Sequence, residues 1–308
     1  MGFVKIYALG NKYIKTIFDD EVEITEKVDG SQFSFGLISD DLECHTKRTK
    51  MKLDHPEDQF IPAVRYVMEI ADKLHPNWVY FGETLKRPKH NVIKYDRVPE
   101  NHIAIFGILD LTSHNYLSWE IMKLEADVLK VDVVPCLFRG RTDFENAKKL
   151  ISQVSFLGGA NIEGFVVKNY DRPTDVGGVV FPIMCGKLVH ESFKEKHADL
   201  ASRGASKRDS WEAFCEGYCN TNRWRKAVRH LADDGTLIGD PRDIGLLVRE
   251  IHNDIIEEEK DEILEFLWKH HSPHLLKRTI QGFPDWYKDQ LANGEIDKFL
   301  GKDEDDEK

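Results

Sequence analysis

Glu21-Val-Glu-Ile-Thr-Glu-Lys-Val-Asp-Gly-Ser-Gln-Phe-Ser-Phe-Gly36 is the stretch from which the rest of the chain is read. Strand side chains alternate between two faces. Val22, Ile24 and Glu26 therefore share one face, and Glu23, Thr25 and Lys27 the other. Beyond Asp29-Gly30, Phe33 and Phe35 alternate with Gln32 and Ser34. Glycine accepts a positive φ and aspartate tolerates one, so Asp29-Gly30 predicts a tight turn between the two strands of a hairpin. Lys27 then stands at the hairpin mouth, beside Asp29. A lysine amine is a nucleophile only after losing its proton, which nearby cations or desolvation assist. A lone Lys-x-Asp-Gly also recurs by accident, and by itself reads as a surface hairpin with a solvated lysine.

The surroundings decide between these readings. The chain has 308 residues, 41% hydrophobic and 31% charged, which predicts a globular protein of two domains. No apolar run reaches membrane-spanning length, and the start, Met1-Gly-Phe-Val-Lys-Ile6, lacks a signal peptide's apolar region. A cytoplasmic location is expected. The net charge of −11 excludes coating of nucleic acid through overall charge but leaves room for a local basic groove. Cys44, Cys136, Cys185, Cys215 and Cys219 are odd in number and scattered, so they read as reduced thiols rather than a disulfide framework. Cys215 and Cys219 lie four apart on an expected helix, with no histidine pair nearby to complete a zinc site.

Strands are predicted at Val4–Tyr7, Glu21–Lys27, Ser31–Ser39, Glu43–Thr46, Trp78–Glu83, Ile103–Leu111, Val133–Phe138, Gly164–Asn169 and Ile183–Val189. Helices are predicted at Phe60–Lys73, Ser118–Leu129 and Asp143–Val154. The two kinds of element interleave without regular βαβ spacing, so the class is α+β. After Ser192 strand signals cease, and helices follow at Ser210–Tyr218, Arg223–Leu231 and Pro241–Leu267, with shorter pieces to Phe299. The expected domains are 1–195, 196–300 with a helical core including Leu264, Phe266, Leu267, Leu275 and Leu276, and a disordered acidic tail, 301–308.

Several charged residues stand beside apolar strands. Arg48 follows a strand in His45-Thr-Lys-Arg-Thr-Lys50, which also reads as a solvated basic loop. Glu83 closes Trp78-Val-Tyr-Phe-Gly-Glu83. Glu163-Gly-Phe-Val-Val-Lys168 joins a carboxylate, a glycine, a buried strand and a lysine. Lys187 interrupts the otherwise apolar Phe181–His190, where a lysine is rarely buried without a partner. Together, Lys27, Arg48, Lys168 and Lys187 would neutralise phosphate, while Glu83 and Glu163 would hold sugar hydroxyls or a hydrated Mg²⁺. There is no Gly-x-x-x-x-Gly-Lys-Ser/Thr loop.

The ordered set Lys27-Val-Asp-Gly30, Phe81-Gly-Glu83, Ile103–Leu111, Glu163-Gly-Phe-Val-Val-Lys168 and Lys187 resembles the successive motifs of the covalent nucleotidyltransferases: ATP-dependent DNA ligases, RNA ligases and mRNA capping enzymes. Glu26 before the lysine, Lys47-Arg48-Thr49 and the helical C-terminal region resemble the RNA ligase 2-like group. The resemblance implies an α+β nucleotidyltransferase (ATP-grasp-like ligase) domain with antiparallel sheets and flanking helices, followed by an all-helical domain. It implies an ATP-dependent RNA ligase using Mg²⁺, or Mn²⁺ in its place. Lys27 would form a lysyl–AMP, with Glu26 against the adenine edge and Arg48 on ribose or phosphate. Glu83 would hold the ribose, Glu163 the metal through its waters, and Lys187 the α-phosphate. Asp29, Gln32 and Lys168 would join the nucleotide site. Lys187 and the metal would depress the Lys27 pKa. The partner would be RNA with 3′-hydroxyl and 5′-phosphate ends, as a nicked duplex, a single strand or an RNA–DNA hybrid, and the protein is expected to be a monomer. DNA sealing, GMP transfer and a binding-only protein are the alternatives.

Three positions depart from the family pattern. Leu109, not an aromatic residue, precedes Asp110; the nearest ring is Phe106, three residues from Leu109. Either the strand register slips or adenine stacks on an aliphatic side chain. Lys187 is flanked two residues away by Cys185 and Val189 where the family has Lys-x-Lys, leaving Lys194 as a substitute. Gln32 stands where an asparagine is common. In the helical region, Arg225/Arg229 and Lys226/His230 are spaced i, i+4 around Trp224, which fits either a phosphate-gripping face or a solvated helix.

Overall fold

The computed structural model describes residues 2–47, 49–89, 92–190 and 207–296. Its strands are β1 (Tyr7–Ala8), β2 (Val22–Lys27), β3 (Ser31–Ile38), β4 (Asp41–Thr46), β5 (Trp78–Thr84), β6 (Ile103–Asp110) and β7 (Asn115–Tyr116). They continue with β8 (Asp132–Val133), β9 (Cys136–Gly140), β10 (Gly164–Asn169), β11 (Thr174–Val176), β12 (Val179–Phe181) and β13 (Met184–Val189). The helices are α1 (Ile61–Glu69), α2 (Trp119–Leu129), α3 (Phe144–Lys148), α4 (Lys207–Glu216), α5 (Thr221–Asp233), α6 (Ile244–Thr279) and α7 (Phe283–Ala292). The class is α+β with mainly antiparallel sheets and a long helical C-terminal region, as the sequence predicts.

The predicted hairpin is not formed. β2 lies in a five-stranded sheet ordered β1-β13-β10-β2-β9, while β3 lies in a six-stranded sheet whose main path is β4-β3-β5-β6-β7. Both edges of β2 are taken, one by β10 and the other by β9, so β3 has no edge to pair with. Val28-Asp29-Gly30 is thus a crossing between sheets. The aspartate, which the turn reading assigned to a local bend, instead binds a distant loop: its Oδ2 accepts from the amides of Val92 and Ile93 at 2.7 and 2.8 Å. Its own amide donates to the Tyr95 hydroxyl at 2.9 Å. Gly30 is not among the residues with positive φ. It is needed because a Cβ would lie 2.9 Å from Leu85 Cδ1 and 3.0 Å from the Thr84 carbonyl. The predicted strand Val133–Phe138 is likewise split at Pro135, which has no amide to donate. β8 pairs with β6 and β9 with β2, so this segment is a second crossing.

Each sheet covers one core. Phe33, Phe35, Tyr80, Ile103, Ile105 and Ile108 of the six-stranded sheet pack under α1 and α2. Ile24, Phe165 and Val167 of the five-stranded sheet pack against Tyr7, Ile14 and Ile17. Burying each such side chain stabilises the fold by about 1.5–3 kcal/mol. Where the sheets converge, Val28, Leu85, Ile93, Tyr95, Ala104 and Leu157 form a third core. On the faces opposite these cores the two sheets approach each other. They are bridged by Lys168, whose ammonium donates to the Phe106 carbonyl at 2.7 Å and to Glu23 Oε1 at 3.3 Å. Glu23 also accepts from the Tyr170 hydroxyl at 3.0 Å and, through Oε2, from the Trp119 amide at the start of α2 at 3.2 Å.

The chain divides into two compact units, Met1–Leu247 and Val248–Lys308. The sequence boundary at 195/196 and the acidic tail 301–308 lie outside the described residues. α6 runs without a break through Pro273, well past the predicted end at Leu267. The expected helical core is not closed among the described residues, because Leu264, Leu275 and Leu276 are all exposed. Cys219 lies beyond the end of α4, so it does not share a helix with Cys215. Among the described residues no helix is long and apolar enough to cross a membrane.

The buried ion pair gives a stability prediction. Lys168→Ala leaves Glu23 charged and without its lysine in the interior and is expected to destabilise the protein by about 3–5 kcal/mol. Lys168→Met with Glu23→Gln removes both charges and should recover most of that loss, as read from urea unfolding midpoints.

Candidate active site

Strand register brings Lys27, Val166 and Lys187 to one face at the end of the five-stranded sheet. Lys27 pairs with Gly164, Val166 with Thr25, and Lys187 with Val166. Gly164 opens β10, and the preceding residue, Glu163, places both carboxylate oxygens on the Lys27 ammonium, at 2.7 and 2.6 Å. Across the cleft, Gln32 and Glu83 are cross-strand partners on β3 and β5. Glu83 Oε2 and Gln32 Nε2 are both buried without a hydrogen-bond partner. A Cβ on residue 30 would meet Glu83 Oε2 at 3.1 Å, so the Gly30 crossing also makes room for this carboxyl.

The electrostatics follow from carboxylates crowded around one lysine. Burial disfavours the Lys27 ammonium, but Glu163, Glu83 and Asp29 outweigh it and hold the pKa above that of a free lysine. The expected depression by Lys187 is therefore overturned: the nearest neighbours of Lys27 are anions. Burial raises the Glu163 pKa against the opposing pull of Lys27. Burial, reinforced by Glu163 and Asp29 and opposed by Lys27, pushes the Glu83 carboxyl up to about 8.

The structure separates the predicted site residues into those it gathers and those it does not. Lys27, Asp29, Gln32, Glu83, Glu163 and Lys187 surround the crossing. Glu26 does not turn its side chain to this face. It is buried on the opposite one, accepting a short hydrogen bond from the Ser155 hydroxyl and another from the Phe156 amide at 3.1 Å. Its side chain thereby anchors the 155–156 loop. Lys168 is 1% exposed, and its ammonium donates to Glu23 and to the Phe106 carbonyl. Cys185 and Val189 flank Lys187 on its own face, so β13 carries no second lysine there. Arg48 and Lys194 lie outside the described residues.

The question posed by Phe106 and Leu109 is answered by a bulge. Gly107 pairs with Phe81, but Ile105 pairs with Gly82, leaving Phe106 as the extra residue. Ile105 and Ile108 consequently share the core face although they are three apart. Phe106 and Leu109 turn to the other side. The Phe106 ring meets Phe3 edge-on at 5.1 Å between centroids, and Phe3 also contacts Phe81 and Tyr116. The sequence reading missed Phe3, whose placement depends on the path of residues before β1, and Tyr95, which meets Asp29 from 66 residues away. Neither has a local signal.

The donor set fits a nucleotide and a hydrated cation. Two orphaned buried polar groups, Glu83 Oε2 and Gln32 Nε2, await hydrogen-bonding partners, and anionic and cationic side chains alternate around them. No group of three or more His, Cys, Asp or Glu side chains is gathered closely enough to hold a metal among the described residues. A cation would rest on Glu163 together with water and phosphate oxygens, as magnesium prefers.

Glu83 supplies a pH test. A carboxyl whose pKa rises on folding opposes the fold wherever it must ionise. That cost is absent below about pH 4.5, grows as the pH rises, and is complete above about pH 8. Glu83→Gln is therefore expected to be more stable than the parent at pH 9, by about 3–5 kcal/mol, with the gain vanishing near pH 4.5 in urea titrations.

Comparison with known proteins finds a family model, described as RNA ligase, that matches residues 20–182. Among solved structures, the chain is similar to a Naegleria gruberi RNA ligase with PPi, at 20% identity and a TM-score of 0.49, covering 65% of this chain and 58% of that one. It is also similar to a variant of that ligase with ATP and Mn, at 17% identity and TM-score 0.48, covering 63% and 56%. A variant with AMP and Mn gives 18% identity and TM-score 0.48, covering 65% and 59%. The chain thus spans less than two thirds of the length of the structures it matches. No curated protein matches the sequence.

Proposed function

Because the chain belongs to the RNA ligase family, we propose that it is an ATP-dependent RNA ligase that joins a 3′-hydroxyl to a 5′-phosphate through a lysyl–AMP on Lys27. The observation that carries this reading is the Lys27 ammonium held on both oxygens of Glu163, with Glu83, Asp29 and Lys187 around it. Lys27 must lose a proton before its lone pair can attack. Glu163 lies 2.6 Å away on the line along which that proton leaves, and its own raised pKa lets it accept.

Nζ attacks the α-phosphorus of ATP, the N–P bond forms, and the bond to the β-phosphate oxygen breaks to release pyrophosphate. Lys187, on the same sheet face, neutralises α-phosphate charge. Glu83 and Gln32 receive the ribose, satisfying their orphaned polar atoms. Mg²⁺ or Mn²⁺, when bound at Glu163 through water, neutralises phosphate charge. AMP then passes from Lys27 to the 5′-phosphate of an RNA strand, and a 3′-hydroxyl displaces it to seal the strand. RNA repair, at nicks in duplex or hybrid, is the context this chemistry serves.

Incubation with α-labelled ATP and Mg²⁺, without nucleic acid, should leave acid-labile label on the denatured protein. Lys27→Ala should abolish it. Glu163→Gln should reduce the labelling rate by about 10²–10⁴-fold, the usual contribution of a positioned acid–base group. Label from GTP but not ATP would make the protein a GMP transferase. Label from neither would leave a binding-only protein and end the ligase reading. RNA and DNA nicks offered to the labelled enzyme decide the substrate.

A further inference from the structure

We propose that Arg87, Lys89 and Lys94, on the connection from β5 to β6, hold the phosphate backbone of the RNA strand whose end enters the cleft. The identity of this polyanion rests on the ligase reading; the surface itself is read from charge and geometry. Residues 86–97 include five lysines and arginines and one aspartate, in a chain whose net charge is −11. Two of the cations are matched: Lys86 donates to Asp58 at 2.5 Å, and Arg97 to Asp132 at 2.6 Å. Arg87, Lys89 and Lys94 are exposed, and their side chains make no hydrogen bond or ion pair among the described residues.

The backbone sets two of these cations against each other. Lys89 and Lys94 are partners across an antiparallel bridge, and the Tyr95 amide donates to the Pro88 carbonyl beside it at 3.0 Å. Side chains directly opposite in such a bridge stand about 5 Å apart at Cβ, and like charges placed so are destabilising. An anion seated between the two ammonium groups removes that repulsion. Asp96, the one acid of the segment, is placed elsewhere. Its carboxylate oxygens lie against the Gly158–Gly159 turn, 2.6 and 2.8 Å from where a Cβ would stand on those two residues.

The cations are fixed to the crossing that carries the nucleophile. Leu85, Ile93 and Tyr95 are buried with Val28 in the third core. The Val92 and Ile93 amides donate to Asp29, and the Tyr95 hydroxyl accepts from the Asp29 amide. Buried Ile93 and Tyr95 thus flank exposed Lys94, the alternation of an extended segment with one side anchored and the other in solvent. Asp29 is two residues from Lys27, and Lys86 three residues beyond Glu83. A strand whose end reaches Lys27 brings one phosphate per nucleotide to this neighbourhood, and contacts to those phosphates set its position without reading its sequence. The triphosphate of ATP offers the same chemistry from a second source, and the test separates the two.

The full chain is titrated against a fluorescent 5′-phosphorylated RNA strand between about 50 and 200 mM salt. Changing Arg87→Gln, Lys89→Gln and Lys94→Gln together should weaken binding at least about tenfold at the low-salt end and flatten the slope of log affinity against log salt by about 2, as three lost phosphate contacts to a single strand require. Arg87→Lys with Lys89→Arg and Lys94→Arg keeps the charge and should bind like the parent, which locates the loss in charge and not in a damaged loop. Affinity and slope unchanged in the glutamine variant would overturn the proposal, and a fall in its labelling by α-labelled ATP at the same time would assign the three cations to the triphosphate. A parent that binds no RNA would overturn it as well. A parent that binds RNA through these residues but takes no label from ATP would end the ligase reading and leave the RNA surface standing.

Discussion

Lys168 and Glu23 are cross-strand neighbours on β10 and β2, both almost wholly buried, and both sheets are tied to them. A charge taken from water must be met by an opposite charge and by hydrogen bonds. Glu23 meets the ammonium, the Tyr170 hydroxyl and the first amide of α2; Lys168 meets Glu23 and the Phe106 carbonyl. These bonds join elements of both sheets and the helix that covers one of them. The carbonyl that Lys168 takes belongs to the residue left over by the bulge in β6. The bulge, the ion pair and the separation of the sheets are thus one solution to the same problem of satisfying buried polar groups.

That separation makes the site. A hairpin at Asp29-Gly30 would have left Lys27 on an exposed edge, where its amine is an ordinary solvated cation. Because β2 and β3 belong to different sheets, the chain crosses between them immediately after Lys27, and carboxylates converge there from β5, from the residue before β10 and from the crossing itself. The resulting field holds Lys27 protonated and raises Glu83 and Glu163. Carboxylates with raised pKa gathered about a charged lysine are a departure from ordinary surface chemistry of the kind that marks functional sites. The chemistry we propose uses that poise.

The C-terminal unit obeys a different constraint. α6 and α7 have more apolar surface than one short helical unit covers among the described residues, and α6 sorts its charges by sign along its length.

By itself the sequence determined the class, most strand positions, and the identity of the residues around the cleft. Alternation, β-branched runs and the order Lys27, Glu83, Glu163, Lys187 are local properties, and local properties survive without knowledge of the partners. It did not determine which strand pairs with which, because the signal at Asp29-Gly30 is the same whether the aspartate closes its own turn or binds the amides of Val92 and Ile93. Nor did it separate Lys27 from Lys168, or Glu83 from Glu26. Each pair has the same chemistry in sequence. Only tertiary packing decided that one member faces the cleft while the other is consumed in holding the sheets and loops together, since a buried charge takes its role from the groups brought to it.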